Sequence, residues 1–419
     1  MSKFSALKGF KDLLPDEAGL WNWVESAAHE TFPAFGFSFI RTPILEAADL
    51  FTRSIGETTD IVEKEMYTFE DWDGKKISLR PEGTASVVRA FLENGLSEKT
   101  PLAKFYYLGP MFRHERPQAG RLRQFHQIGA ETIGSIDPRQ DVELLSLLSH
   151  FFRRLEIGEL TLEINSLGCP VCRPPYRSAL QAYFKGRLAA LCEDCRRRFD
   201  TNPLRILDCK KEECKAITRE APSPLDYLCP ECGAHFKSVQ EGLALLSIAY
   251  QIRPHLVRGL DYYTKTAFEM TTPKLGAQNA VAAGGRYDGL VEALGGPSTP
   301  AIGFAIGMER VIRLVDPKHA PPLKIQLFIA AIGEAASRAL FPSLFTLRQR
   351  GVRSEMGEET AGLKGLMKRA DRLGAEYVLI VGETELAGGK AILRNMSTKE
   401  QEEIGLSGLV DMVVSKFRK

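Results

Sequence analysis

Arg258-Gly-Leu-Asp-Tyr-Tyr-Thr-Lys-Thr-Ala-Phe-Glu269 puts a cation, a carboxylate and two adjacent tyrosines into six residues, then settles into alternation. Thr266, Ala267, Phe268, Glu269 and Met270 read as a strand. Neighbours on a strand face opposite sides of the sheet, so the stretch predicts Tyr262 and Tyr263 on two different surfaces. Gly259 leaves room for a close backbone approach at the mouth of a site. Alone, the dyad reads as an edge strand carrying surface tyrosines. The rest of the chain turns it into a candidate site.

A chain of 419 residues exceeds one ordinary domain, so two or three are expected. Its composition, 44% hydrophobic and 26% charged with three Trp, is that of a soluble globular protein. No apolar run approaches the length of a membrane span, and Met-Ser-Lys-Phe-Ser-Ala-Leu-Lys at the start lacks the apolar core of a signal peptide. These features predict a cytoplasmic protein. A net charge of +2 gives no global attraction to nucleic acid, so any such binding must come from local patches.

Outward from the opening stretch, residues 16–34 show helical spacing (Leu20, Val24, Ala27, Ala28), and residues 35–41 alternate like a strand up to the bend at Pro43. Ile77-Ser-Leu-Arg80 is a short strand, and Pro81-Glu-Gly-Thr84 turns into a helix over 85–92. Glu82 at that junction either favours the positive end of the helix dipole or points into a ligand site. Residues 105–134 predict a long antiparallel hairpin. Its loop holds Arg113, Arg116, Arg121 and Arg123 against a single acid, Glu115, which suits a polyanion as well as a solvated surface loop. Positions 125, 127, 129 and 131 share one face of the returning strand, so Gln127 and Glu131 point the same way.

A helix over 141–157 and a strand over 160–165 follow. From residue 168 to 239 the composition changes, and all eight Cys fall there, which predicts an inserted domain. They form four close pairs: Cys169 with Cys172, Cys192 with Cys195, Cys209 with Cys214, and Cys229 with Cys232. In a cytosolic chain such pairs read as metal ligands rather than disulfides, and this spacing is that of structural zinc sites. Eight thiolates complete two tetrahedral sites; which pairs share an ion stays open, and buried or surface thiols are the alternative. A helix near 240–250 leads back to the Arg258 stretch, and Ala301–Leu314 reads as a strand feeding a helix that carries Arg310. Beyond a linker at 317–322, strands at 327–331, 377–381 and 391–393 alternate with helices at 334–350 and 361–373. That pattern predicts a small α/β domain with a mostly parallel sheet.

Together the blocks resemble the histidyl-tRNA synthetases, a branch of the class II aminoacyl-tRNA synthetases. Phe112-Arg-His-Glu-Arg-Pro with Arg123-Gln-Phe-His-Gln-Ile-Gly resembles the second class motif, and Gly303-Phe-Ala-Ile-Gly-Met-Glu-Arg310 the third. The bend around Pro43 sits where the class has its first motif, a dimer-interface element. Arg258-Gly-Leu-Asp-Tyr-Tyr and Ala283-Gly-Gly-Arg-Tyr-Asp are the pair particular to the histidine branch. Leu363-Lys-Gly-Leu-Met-Lys-Arg-Ala-Asp-Arg-Leu-Gly-Ala375 resembles that family's anticodon-binding domain.

The resemblance implies an α+β catalytic domain at 1–320, an antiparallel sheet flanked by helices with the cysteine-rich insertion at 168–239, and an α/β anticodon-binding domain at 325–419. It implies histidine activation by ATP with Mg2+, transfer to the tRNA for histidine, and a homodimer. By motif position, Arg113 holds the α-phosphate, Arg310 the outer phosphates, and Arg258 the carboxylate and α-phosphate as charge builds. Glu82, Gly83, Thr84, Gln127, Glu131, Tyr262 and Tyr263 seat histidine. Arg116, Gln118, Arg121 and Arg123 face the tRNA acceptor end. The family does not require zinc. Three rivals share the fold: the regulatory paralogue of ATP phosphoribosyltransferase, a tRNA-binding pseudoenzyme, and a class II enzyme for another amino acid. Intact Arg113 and Arg258 motifs weigh against the first two, and the histidine-branch pair against the third.

Overall fold

The computed structural model describes residues 4–56, 59–118, 120–276, 279–320 and 324–417. Two compact units divide after Ala320. Eleven strands are described in the first: β1 Ser38–Phe39, β2 Leu45–Ala47, β3 Tyr67–Glu70, β4 Lys76–Leu79, β5 Ala103–Phe112, β6 Gln124–Ile133, β7 Thr161–Ser166, β8 Gln251–Ile252, β9 Thr264–Thr271, β10 Ala280–Arg286 and β11 Ala301–Gly307. Eight of them form one sheet in the order β1-β5-β6-β11-β10-β9-β7-β8. Its six central strands pair antiparallel, and only the edge strands β1 and β8 run parallel to their neighbours. The hairpin expected over 105–134 is β5 and β6, in register from Ala103 opposite Ile133 to Phe112 opposite Gln124.

Alternation along these strands gives the sheet two unlike faces. One is apolar: Tyr106, Ile128, Ala130, Phe268, Met270, Ile302, Phe304 and Ile306 pack against the helices Pro15–Ala34, Pro138–Arg154 and Pro230–Leu245. The middle helix is well specified by sequence. Asp137 accepts the Arg139 N–H at 2.9 Å as its cap, Pro138 takes the first turn, and Leu144, Leu145, Leu147, Leu148, Phe151 and Phe152 bury its inner side. The other face carries Tyr107, Gln127, Glu131 and Glu269 and is walled by helix Thr84–Glu93 and the cysteine-rich segment.

Beneath the sheet, Arg286 and Asp141 are both fully buried. Arg286 donates from Nε to Asp141 at 2.8 and 3.1 Å, from Nη1 to Ser135 O at 2.9 Å and to Asp288 at 3.2 Å, and from Nη2 to Asp137 O at 3.1 Å. With its donors used, this arginine staples β10 to the N-terminal turn of helix Pro138–Arg154.

The second unit holds β12 Leu327–Ala331, β13 Ser354–Met356, β14 Tyr377–Val381, β15 Lys390–Asn395 and β16 Gln401–Gly405, in the order β13-β12-β14-β15-β16. Helices Glu334–Gln349 and Leu409–Phe417 cover one face and Leu363–Arg372 the other. Here the expectation of a mostly parallel sheet is corrected: β12 pairs parallel with β13 and β14, while β14-β15 and β15-β16 are antiparallel. In the first unit, only Ser38–Phe39 of the strand expected over 35–41 is extended and paired. The helix expected near 240–250 ends earlier, as Pro230–Leu245.

Removing one member of a buried ion pair strands the other charge. Arg286→Ala or Asp141→Ala is therefore expected to cost about 3–5 kcal/mol, read as a lowered urea midpoint at unchanged slope. A loss under ~1 kcal/mol would contradict the staple.

Candidate active site

The polar face of the sheet is organised by Glu131, fully buried on β6. Three hydroxyls from three separate segments meet its carboxyl: Thr84 Oγ1 donates to Oε1 at 2.8 Å, Tyr107 OH to Oε1 at 3.4 Å, and Tyr287 OH to Oε2 at 2.5 Å. Burial pushes its pKa up to about 8, against the pull of these donors. Tyr107 and Tyr287 have pKa values pushed well above the ordinary tyrosine value, first by burial and then by Glu131 itself, so they remain neutral donors. Glycines make the room. A Cβ on Gly303 would lie 1.6 Å from Glu131 Oε2, and one on Gly83 or Gly129 would strike the Tyr107 ring at 2.3 or 2.1 Å.

Glu82 meets the helix reading directly. Its carboxylate accepts Thr84 N–H at 2.6 Å and Ala85 N–H at 2.8 Å, capping helix Thr84–Glu93, and it is almost fully buried beside Glu131. Gln127 shares the Glu131 face as alternation predicted, and its buried Oε1 accepts no hydrogen bond from the described residues.

The tyrosine dyad corrects the sequence reading. Tyr262 and Tyr263 precede β9 instead of alternating along it, and their rings lie 4.6 Å apart; Tyr262 also meets Tyr287 edge to face at 5.6 Å. Both therefore belong to one site. Arg258 sits 5.8 Å over the Tyr263 ring and forms an ion pair with Glu269. Desolvation opposes its charge, and Glu269 beside it restores that charge. Arg258 Nε makes no hydrogen bond among the described residues.

Arg113 donates from Nε to Pro81 O at 2.9 Å and lies 5.3 Å over the Phe125 ring. Arg310 donates from Nη1 to Ala280 O at 2.5 Å, and its pKa is lowered by burial first and by Arg121 next. The loop cations divide. Arg121 pairs with Glu115 at 2.6 Å and Arg123 Nε bonds to Glu115 O at 3.3 Å, whereas Arg116 is exposed and pairs with no acid among the described residues. Gln118 is exposed and closes the turn with Arg121 through backbone bonds at 2.9 and 3.1 Å. Tyr107, Tyr287 and Glu269 were not assigned roles by sequence reasoning. The signal for Tyr107 was available: it shares the Glu131 face and lies opposite Gly129.

The eight thiols are free and converge in two fours: Cys169, Cys172, Cys229 and Cys232, then Cys192, Cys195, Cys209 and Cys214, each set within 4.8 Å. The outer two pairs join, and the inner two join. Sulfur separations of 3.7 and 3.9 Å in the first set and 3.9 Å in the second match the ~3.8 Å of four thiolates around a tetrahedral zinc at ~2.3 Å. Backbone N–H groups of Cys229 and Cys192 point at Cys172 Sγ (3.1 Å) and Cys214 Sγ (3.3 Å), as suits anionic sulfur. Both sets fit a metal ion.

An antiparallel sheet backed by helices on one side, with arginines and a buried polar pocket on the other, has the architecture of a class II aminoacyl-tRNA synthetase. Residues 9–169 and 213–311 match the family described as Histidyl-tRNA synthetase, leaving 170–212, within the cysteine-rich segment, unmatched; residues 326–416 match the Anticodon binding domain family. The chain is 51% identical to the histidine–tRNA ligase of Syntrophotalea carbinolica over 99% of both chains. It is 52% identical to that of Geobacter sulfurreducens over 96% of this chain and 97% of the relative. The crystal structure of apo S. aureus histidyl-tRNA synthetase superposes with a TM-score of 0.82 at 36% identity, covering 98% of this chain and all of that one. The chain belongs to the histidyl-tRNA synthetase family.

The raised pKa of Glu131 has a pH consequence. Below about 4.5, the ordinary value, the carboxyl is protonated folded or unfolded and folding gains or loses nothing from it. Between about 4.5 and 8 the unfolded chain ionises first, so the group opposes folding increasingly as pH rises. Glu131→Gln, neutral throughout, should gain on the unaltered protein across this window, by on the order of a few kcal/mol at ~1.4 kcal/mol per pKa unit. Unfolding midpoints of both forms at pH 4.5–8.5 check it; a constant difference would contradict it.

Proposed function

We propose that the chain is a histidine–tRNA ligase. A histidine carboxylate oxygen attacks the α-phosphorus of ATP, supplied with Mg2+; the α–β phosphoanhydride bond breaks, and pyrophosphate leaves. The 3′-terminal hydroxyl of the tRNA for histidine then attacks the carbonyl carbon of the adenylate, and AMP leaves. The observation that carries the reading is the Glu131 carboxyl, which in its ionised form has about four acceptor positions, of which three hydroxyl partners leave about one for an imidazole N–H. The full-length likeness to histidine–tRNA ligases supports it over a non-catalytic paralogue.

In this reading Glu131 accepts from one imidazole nitrogen and Tyr263 bonds the other. A pocket built for two ring nitrogens rejects amino acids that leave its polar groups unpaired. Gln127 Oε1 and the remaining lone pairs of Glu82 take the α-ammonium, with Gly83 and Thr84 shaping the wall and Tyr262 closing it. Arg113 holds the α-phosphate, Arg310 the outer phosphates, and Arg258 the charge that develops between carboxylate and phosphorus. Such catalysis is positioning and charge stabilisation. The loop bearing Arg116, Gln118, Arg121 and Arg123 receives the acceptor end, with exposed Arg116 pairing with no acid among the described residues.

We assign residues 1–320 to catalysis, with 168–239 as an insertion, and 325–419 to the anticodon. Exposed Phe39, Ile44 and Leu45 beside the edge strand support a homodimer. No helix among the described residues is long and apolar enough to cross a membrane, which agrees with a cytoplasmic site of action.

The test is ATP–pyrophosphate exchange with each amino acid in turn. Exchange with histidine alone is expected, and Arg258→Ala should lower it on the order of a hundredfold or more. Exchange with a different amino acid would overturn the substrate, and near-normal exchange in the mutant would overturn the role of Arg258.

Each thiol quartet is proposed to hold one zinc, whose contribution is structural: it cross-links a segment with little core of its own. Metal analysis of protein purified without chelator should find two zinc ions per chain. No zinc, with all eight thiols reacting freely in the folded protein, would exclude it.

A further inference from the structure

Residues 253–263, between β8 and β9, form no helix or strand, yet they carry Arg258. A misplacement of about 1 Å in such a group costs on the order of a hundredfold in rate. What fixes this loop is hydrogen bonding to its main chain. Arg205 donates from Nη1 to the carbonyl of Arg258 at 3.0 Å and from Nη2 to that of Gly259 at 2.5 Å. Its Nε faces Asp261 Oδ1 at 3.2 Å, and Asn202 donates to the same oxygen at 3.1 Å. Farther along, Arg173 donates to the carbonyl of Tyr263.

Asn165 of β7 holds the start of the loop through the carbonyls of Pro254 and Leu256 at 3.0 and 2.9 Å, and the Asp261 N–H bonds to Ile55 O at 3.1 Å. Arg205, Asn202 and Arg173, which hold the part that carries Arg258, all belong to the cysteine-rich segment, and each is tied to a thiol quartet. Arg173 directly follows Cys172, while Asn202 and Arg205 stand between Cys195 and Cys209. The Cys209 N–H bonds to Ile206 O, at the residue next to Arg205, whose side chain is only 12% exposed. Packing continues the link: Val257 and Tyr263 share one apolar cluster with Cys192, Cys195 and Cys214. The planar fork of an arginine spans two successive carbonyls in a way a lysine does not.

We propose that Arg205 is a positioning residue for the reaction, gripping the Arg258–Gly259 main chain from behind, and that metal in the two thiol quartets is the frame that holds this grip in place. The inference rests on the histidine-activation reading. Arg205 touches no reacting atom; it acts through Arg258.

The experiment compares histidine-dependent pyrophosphate exchange in the unaltered chain, R205A, R205K, R258A and R205A/R258A, with a melting curve for each. R205A should lower kcat about ten- to a hundredfold with KM for ATP within about twofold, and R205K should recover part of the loss. The double variant should be no slower than R258A, because a residue acting only through Arg258 has nothing left to place. Unchanged kcat in folded R205A, or a double-variant loss equal to the product of the single losses, overturns the proposal. Should R205A not fold, Asn202→Ala runs the same cycle with a smaller expected loss, and the same two results overturn the proposal.

Deuterium exchange gives a readout independent of activity. Amides of 255–263 should exchange faster in R205A and in the full chain stripped of metal, and zinc should restore the latter. Unchanged exchange in R205A defeats the grip, and unchanged exchange in the stripped chain defeats its dependence on metal. If the unaltered chain activates no histidine, the synthetase reading falls by itself, and these amides decide the inference.

Discussion

A carboxyl group with no access to water is the constraint around which this site is built. Glu131 is stable at its depth only because hydroxyls reach it from a helix start (Thr84), from the neighbouring strand (Tyr107) and from the end of β10 (Tyr287). Burying an unpartnered carboxylate is costly enough that the group keeps its proton instead. Each partner is held by another feature of the fold. Thr84 is placed by a helix whose first turn is capped by Glu82, Tyr107 fits only because Gly83 and Gly129 have no side chain, and Glu131 itself leans on Gly303. These glycines are, in the fold, the negative image of one aromatic ring and a carboxyl.

The same sheet face gathers cations, and their counter-charges sort them. Arg121 pairs with Glu115 and Arg258 with Glu269, whereas Arg310 has carbonyl partners and lies between opposing influences, the cations Arg121 and Arg113 and the carboxylates Glu115 and Glu269. Arg258, also desolvated, keeps its charge through Glu269.

Much of this was legible. Period-two alternation placed Gln127 and Glu131 on one face, and cysteine spacing predicted two sites of four thiols, though not which pairs join. It failed where local backbone overrode the period. Lys265 adopts φ 45°, in the left-handed region uncommon for a residue with a side chain, and the β9–β10 register slips between Gly285 and Arg286. Alternation carried back through that bulge placed Tyr262 and Tyr263 on opposite faces, although their rings touch. In the second unit, β16 was invisible because Gln401-Glu-Glu-Ile-Gly405 offers one buried side chain. Its pairing is set by the turn at Asn395, whose side chain accepts the Ser397 and Thr398 N–H groups. The depth of Glu131 was unreadable for a different reason: nothing local in a strand records how many tyrosines will close over it.

Arg258 and Arg286 make the last distinction. Both are arginines withdrawn from solvent. Arg286 spends its donors on Asp141, Asp288 and two carbonyls and leaves nothing for a ligand, whereas Arg258 keeps Nε unused. The residue after Arg286, Tyr287, carries the contact that matters to the site. A staple beneath the sheet thus fixes the strand end from which the Tyr287 hydroxyl reaches Glu131. The Ala283-Gly-Gly-Arg-Tyr-Asp stretch acts on the Glu131 site through where it puts one hydroxyl, so the arginine in it is a matter of framework and the tyrosine a matter of the site itself.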